Sequence, residues 1–171
     1  MSRYVTVNTD MWNERMFRKM PRSSQDLYMY LFTCPESNQA GFFRLPAEDL
    51  EARRGKEALD DLIKGSPFYM YDAEYELVFL PQFLKYNAAK TTNQITGVNR
   101  VVAALDECDM MVDFYLAFLK YGGKKAVKMA EPRVKEYVAK QAIYRGTKEA
   151  EELATIITAP LEETKQIQNK T

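Results

Sequence analysis

The chain has 171 residues, 24 basic against 24 acidic side chains, no histidine and two cysteines, and 46% of it is hydrophobic. That length allows one core of ~100 to 120 residues plus an appendage, and the composition is that of a soluble globular protein. Without histidine there is neither a Cys2His2 metal site nor an imidazole acid or base, and zero net charge argues against a surface that is positive throughout.

The charges are nonetheless unevenly spread. Residues 66–84 carry three acids (Asp72, Glu74, Glu76) and no lysine or arginine, whereas residues 85–145 carry eleven basic and six acidic side chains. The most apolar run, 110–119, is about half the ~20 residues needed to span a bilayer, and the N-terminus has no signal-like apolar core. Cys34 and Cys108 lie far apart and read as buried free thiols, which suits a reducing, cytoplasmic setting.

Residues 3–8 alternate through Tyr4-Val5-Thr6-Val7 and predict an edge strand. A short helix begins at Asp10, with Trp12 expected to anchor it to the core. Arg15, Arg18, Lys19 and Arg22 then place four positive charges within eight residues, either as a solvated helix face or as one that contacts phosphates. Leu27, Tyr28, Leu31 and Phe32 recur at helical spacing over 24–34, with Ser23 or Ser24 as cap and Cys34-Pro35 as the stop. Gly41-Phe42-Phe43-Arg44-Leu45 predicts a strand, and Pro46 leads directly into a helix.

Two short helices follow over Ala47–Arg54 and Lys56–Lys64, jointed at Gly55. A two-stranded ribbon over 68–71 and 77–80 then turns at Asp72-Ala73-Glu74. Helix, strand, helix, helix, hairpin is the order of a winged helix-turn-helix, so the expected fold class is α+β, mostly helical, with a small antiparallel sheet and a helical C-terminal extension. The expected division is 1–87 for the winged helix, 88–128 for trailing helices packed on it, and 129–171 for a helical appendage with a disordered end.

Residues 94–107 predict a helix with Ile95, Val98, Val101, Val102 and Leu105 on one face. Residues 110–121 predict another, apolar nearly all round, as befits a helix buried on several sides or one that self-associates. Gly122-Gly123-Lys124-Lys125 fails the spacing of a phosphate-binding loop and reads as a helix stop. Pro132 starts a helix and Thr147 caps a last one, ended by Pro160. Each shows a narrow apolar stripe that needs a surface to lie on, so 129–160 is expected to carry assembly or partner contact.

Residues 3 to about 123 resemble the N-terminal winged-helix domain of phage replisome organisers and DnaD-type replication-initiation proteins. The residues that carry the resemblance are Tyr4-Val5-Thr6-Val7, Trp12, Phe17-Arg18-Lys19-Met20, Asp26-Leu27-Tyr28-Met29-Tyr30-Leu31, Gly41-Phe42-Phe43-Arg44-Leu45-Pro46 and Phe83-Leu84-Lys85-Tyr86-Asn87. Residues 93–105 and 114–121 are similar to that family's trailing helices. Between Pro46 and Lys64 the chain is several residues shorter than the family pattern, with Arg53-Arg54-Gly55 at the joint.

The resemblance implies a non-enzymatic DNA-binding protein of replication initiation in a bacterial host cell, with a replication helicase or helicase loader and a second copy of itself as further partners, and no cofactor. Adjacent carboxylates such as Asp60-Asp61 and Glu151-Glu152 point about 100° apart on a helix and form no acid–base pair. The helix that would enter the major groove, Lys56–Lys64, has three acids and no Arg, Asn or Gln to read base edges. DNA contacts are therefore expected mostly on phosphates, from Arg15, Arg18, Lys19, Arg22, Arg53, Arg54 and Lys56, with Lys90, Asn93 and Arg100 as secondary candidates. The other reading is a winged-helix adaptor or inhibitor that binds protein.

Overall fold

The computed structural model describes residues 7–161 and is mostly helical, with one small three-stranded antiparallel sheet. A 3-10 turn (Thr9–Asn13) and a short α1 (Arg15–Lys19) lead into α2 (Arg22–Thr33), β1 (Phe42–Arg44), α3 (Ala47–Arg54) and α4 (Lys56–Lys64). Strands β2 (Met70–Asp72) and β3 (Leu77–Phe79) follow, then α5 (Phe83–Tyr86), α6 (Thr92–Ala103), α7 (Met110–Lys128), α8 (Pro132–Arg145) and α9 (Lys148–Thr158).

The sheet order is β1-β3-β2, so the first strand, formed before α3 and α4, pairs with the last. Phe42 lies opposite Phe79 and Phe43 opposite Val78, which fixes one face of aromatic residues by the alternation of a strand. Phe42 and Phe79 each sit 5.8 Å from the Phe114 ring of α7, while α4 packs on β2. The sheet thus lies between helices, and all three residues of β3 are buried. The edge strand expected over 3–8 falls mainly outside the described residues; Val7 and Asn8, which are described, form no strand.

Local chemistry explains the joints. Gly55 adopts φ 86°, ψ 165°, a region open essentially to glycine alone, and so lets α4 start one residue after α3 ends. The N-terminus of α3 has Pro46 at its cap and no capping side chain of its own. Its cap comes from the hairpin: Glu76, at φ +53°, accepts from the Ala47 N–H through Oε1 at 3.3 Å and from the Leu45 N–H through its carbonyl at 2.8 Å.

Several sequence expectations are corrected in detail. Helix α2 begins at Arg22 behind Pro21, so neither Ser23 nor Ser24 caps it; Ser24 is buried and donates instead to Asp61 of α4 at 2.7 Å. Trp12 is 44% exposed, and the core position beside it is filled by Met11 at 1%. Helix α6 spans Thr92–Ala103 rather than 94–107, because Thr91 and Gln94 form a reciprocal capping box at its start. The helix stop expected at the paired glycines is present at Gly123 (φ 81°, ψ 176°), and a further helical segment then runs to Lys128. Asn99 holds that second segment, donating to the Ala126 carbonyl at 3.0 Å while accepting from the buried Tyr115 hydroxyl at 2.9 Å.

Helices α8 and α9 form an antiparallel pair with Pro132 in the first turn of α8 and Thr147 capping α9. Both lie on α7, and Val134, Val138, Leu153 and Ile157 belong to the same continuous buried cluster as Phe42 and Leu27. The surface their apolar stripes require is supplied by their own chain. Cys34 and Cys108 are free and buried, and burial pushes both thiols up to about 11. Among the described residues no helix is long and apolar enough to cross a membrane.

Candidate nucleic-acid interface

Helix α1 is anchored at both ends by side chains that leave its cations outward. At its start Glu14 turns away from Arg15 and bonds Lys85 and the Tyr86 hydroxyl of α5. Burial opposes the ionised form of Glu14, but hydrogen bonds from Lys85 and Tyr86 outweigh it and hold the carboxyl below its usual value. At its end Gln25 of α2 donates to the Phe17 and Met20 carbonyls at 3.0 and 3.1 Å. Phe17 is fully buried, with its ring 5.6 Å from Phe68 and 5.9 Å from Tyr28.

Arg15, Arg18 and Lys19 are all exposed, and among the described residues no carboxylate lies within ion-pair distance of them. Glu14 is the one acid between Met11 and Gln25, and it is engaged elsewhere. Arg22 opens α2 and meets Asp26 at 3.8 Å; both side chains are mostly in water, where such a pair is worth little.

The second group sits at the joint of α3 and α4. Arg53 is committed to the protein: it meets Glu36 at 2.7 Å, the Tyr30 hydroxyl at 3.4 Å and Asp49 at 4.0 Å. Glu36 is desolvated, yet the Arg53 guanidinium beside it still holds its carboxyl below the usual value. Arg54 lies over the Tyr30 ring at 5.4 Å, so one face of its guanidinium is stacked while it remains exposed. Lys56, the first residue of α4, is exposed.

Helices α2 and α4 run antiparallel, since Ser24 near the start of α2 bonds Asp61 late in α4, while Tyr30 late in α2 meets Arg53 and Arg54 ahead of α4. The two basic groups therefore lie toward opposite ends of this pair. On α4 itself Asp61 also accepts from the Tyr69 hydroxyl at 2.9 Å, so one of the helix's three acids is structural. Its exposed charges are Glu57 and Asp60 balanced by Lys56 and Lys64.

Lys90, Asn93 and Arg100 are exposed at and along α6. Asn93, Gly97 and Arg100 share one helical face by spacing, and Gln39 covers Gly97 so closely that a Cβ there would come within 2.6 Å of its Nε2. Gln39 and Glu36 belong to one loop, so that loop separates Arg53 from the Asn93 and Arg100 face. The structure brings the α3–α4 group and these secondary candidates to two sides of that loop, with the α1 group at the far end of α2.

The hairpin side is acidic. Asp72 Oδ1 accepts the Glu74 and Tyr75 N–H groups at 3.0 and 3.1 Å and so shapes the turn, and Arg44 joins Asp106 from the loop before α7. The Tyr75 hydroxyl is raised first by Glu74, then by desolvation, Asp72 and Asp106. A cleft of 440 Å³ lined by Pro81, Leu116, Lys120, Tyr121, Glu149 and Glu152 contains none of the candidate residues. Among the described residues no three acidic or cysteine side chains converge as they would around a metal ion.

Sequence reasoning missed the exposure of Trp12 and Met16, which flank Arg15. The signal was present as aromatic and basic residues interleaved over 12–19. No protein-family model matches the chain, and comparison with curated proteins and with solved structures finds no match.

Proposed function

We propose that the protein is a non-catalytic DNA-binding factor, built on a winged helix-turn-helix and acting as an accessory of phage-type DNA replication. The order α2, β1, α3, α4, β2, β3 with sheet order β1-β3-β2 supports the winged-helix reading. The observation that carries DNA binding is the group Arg15, Arg18 and Lys19, exposed and without an acid partner among the described residues. Unneutralised cations fixed on an anchored helix are what phosphate contact needs, because binding then releases counterions without first breaking an internal pair. Recruitment of a replication helicase or its loader is part of this proposal through the family resemblance.

Affinity for duplex and single-stranded DNA is to be measured over a salt series. With Arg15, Arg18 and Lys19 replaced by alanine, the slope of log K against log salt should fall by roughly 0.9 per lost phosphate contact on duplex, or about 2 to 3 in total. An unchanged slope would place the contact on another face. A second reading, a protein-binding adaptor, is favoured by one observation: the hairpin and the exposed Glu57 and Asp60 offer carboxylates where a DNA-reading wing and helix would meet phosphates. Absence of binding to any DNA at low salt would select it.

A further inference from the structure

We infer that the Trp12 face of the 3-10 turn and α1 is a stacking platform for the bases of single-stranded DNA, an inference that rests on the DNA-binding reading and specifies the form of DNA that α1 takes.

Of the six large apolar side chains exposed among the described residues, two, Trp12 and Met16 at 44% and 55%, lie on the segment that carries the unpaired cations. The indole is not loose. Its ring centroid lies 5.2 Å from Phe17 at 85°, an edge-to-face contact with a side chain that is itself fully buried between Tyr28 and Phe68. Asn8 fixes the turn that presents it, its side chain accepting from the Asp10 N–H at 2.8 Å, and Met11 pins the same turn into the core. The result is a rigid aromatic surface held half out of water.

Charge decides the occupant. Arg15, Arg18 and Lys19 follow Trp12 within two helical turns, and Glu14, the intervening acid, is bound to Lys85 and Tyr86. An apolar protein partner would have to desolvate three cations for which the described residues offer no carboxylate. A single strand supplies both halves: its bases present flat faces to the indole while its phosphates run along the cations, the combination by which sequence-tolerant single-strand binders work. Duplex DNA cannot do the same, because its bases are stacked within the helix and only its phosphates remain available.

Trp12 is the single tryptophan of the chain, so fluorescence excited at the red edge, where the eleven tyrosines do not absorb, reports this site alone. The full-length protein is titrated at low salt with oligothymidylate of about 15 nucleotides, a length within the usual single-strand site range. The matching oligouridylate and a duplex of equal length are titrated in parallel, with binding also followed by the anisotropy of a labelled strand. Oligothymidylate should change Trp12 emission; Trp12→Leu, which keeps an apolar contact on Phe17, should weaken single-strand binding about ten-fold and leave duplex binding unchanged. Trp12→Phe should restore most of the loss, and thermal melts of both variants should match the parent.

Single-strand binding without an emission change, or Trp12→Leu binding as tightly as the parent, would overturn the stacking platform and leave DNA binding intact. Equal weakening of strand and duplex would also overturn it, and tighter binding of the uridylate strand would overturn DNA as the ligand. No binding of any of the three would remove the DNA-binding reading and this inference together.

Discussion

Glu14 and Glu36 show how single side chains position a surface without being part of it. Each is a carboxylate spent on an internal cation, Lys85 in one case and Arg53 in the other, and each has its proton affinity lowered as a result. A group whose folded value lies below its unfolded one stabilises the fold above the unfolded value and loses that contribution as pH falls. The ordinary value for both is 4.5, so their stabilisation is complete above about pH 4.5 and should drain away below it. Acid titrations followed by circular dichroism should show a shallower fall in stability below that pH for Glu14→Gln and for Glu36→Gln than for the parent. A fall as steep as the parent's would mean that these pairs do not form in solution. Arg53 is instructive for the same reason: a candidate DNA contact from the sequence, it is tied to Glu36 and Tyr30 and so also positions the α3–α4 joint. No sequence pattern announces a pair separated by 17 positions.

At the scale of elements, α4 depends on the backbone at Gly55. Nothing lies within 4 Å of a Cβ built there, so a substitution meets no clash; the obstacle is conformational, since φ 86° with ψ 165° is open essentially to glycine. Gly55→Ala should cost about 1–3 kcal/mol and tilt α4 against α2. A melting temperature equal to the parent's would show that the joint relaxes into another conformation. The sequence made this joint legible, as it did the helix boundaries at Pro46, Pro132 and Thr147, because each is fixed by a residue with one strong local preference. The burial of Leu27, Leu31, Ile95 and Val98 followed from periodicity in the same way. Illegible were features set by distant partners: Glu76 capping α3, Ser24 turned to Asp61, and Trp12 displaced from the core by its neighbour Met11. Of the candidate interface, the identity of the cations could be read from the sequence. Which of them are free could not, because pairing is a tertiary fact.

The whole molecule is held by one buried cluster that runs from the sheet through α7 into α8 and α9. Truncation after Gly123 would remove Ala126, Val127, Val134, Val138, Leu153 and Ile157, all with no exposed surface, and uncover the α7 face they pack on. The truncated chain should therefore lose cooperative unfolding, whereas a preserved transition would show that the C-terminal helices are separable, as their sequence alone suggests. The same architecture sorts charge by side, with exposed cations along α1 and, beside the paired Arg53, at Arg54 and Lys56 of the α3–α4 joint, and carboxylates at the hairpin turn and the loop before α7. The central claim, that DNA approaches the side of α1, is tested most directly by mapping backbone amide shifts of the 19.8 kDa protein during addition of DNA at low salt. The account predicts shifts concentrated over 12–22 and 53–56, with residues 72–76 and 106–109 unmoved. Shifts centred on the acidic hairpin and its neighbouring loop, or none at a DNA excess, would contradict it.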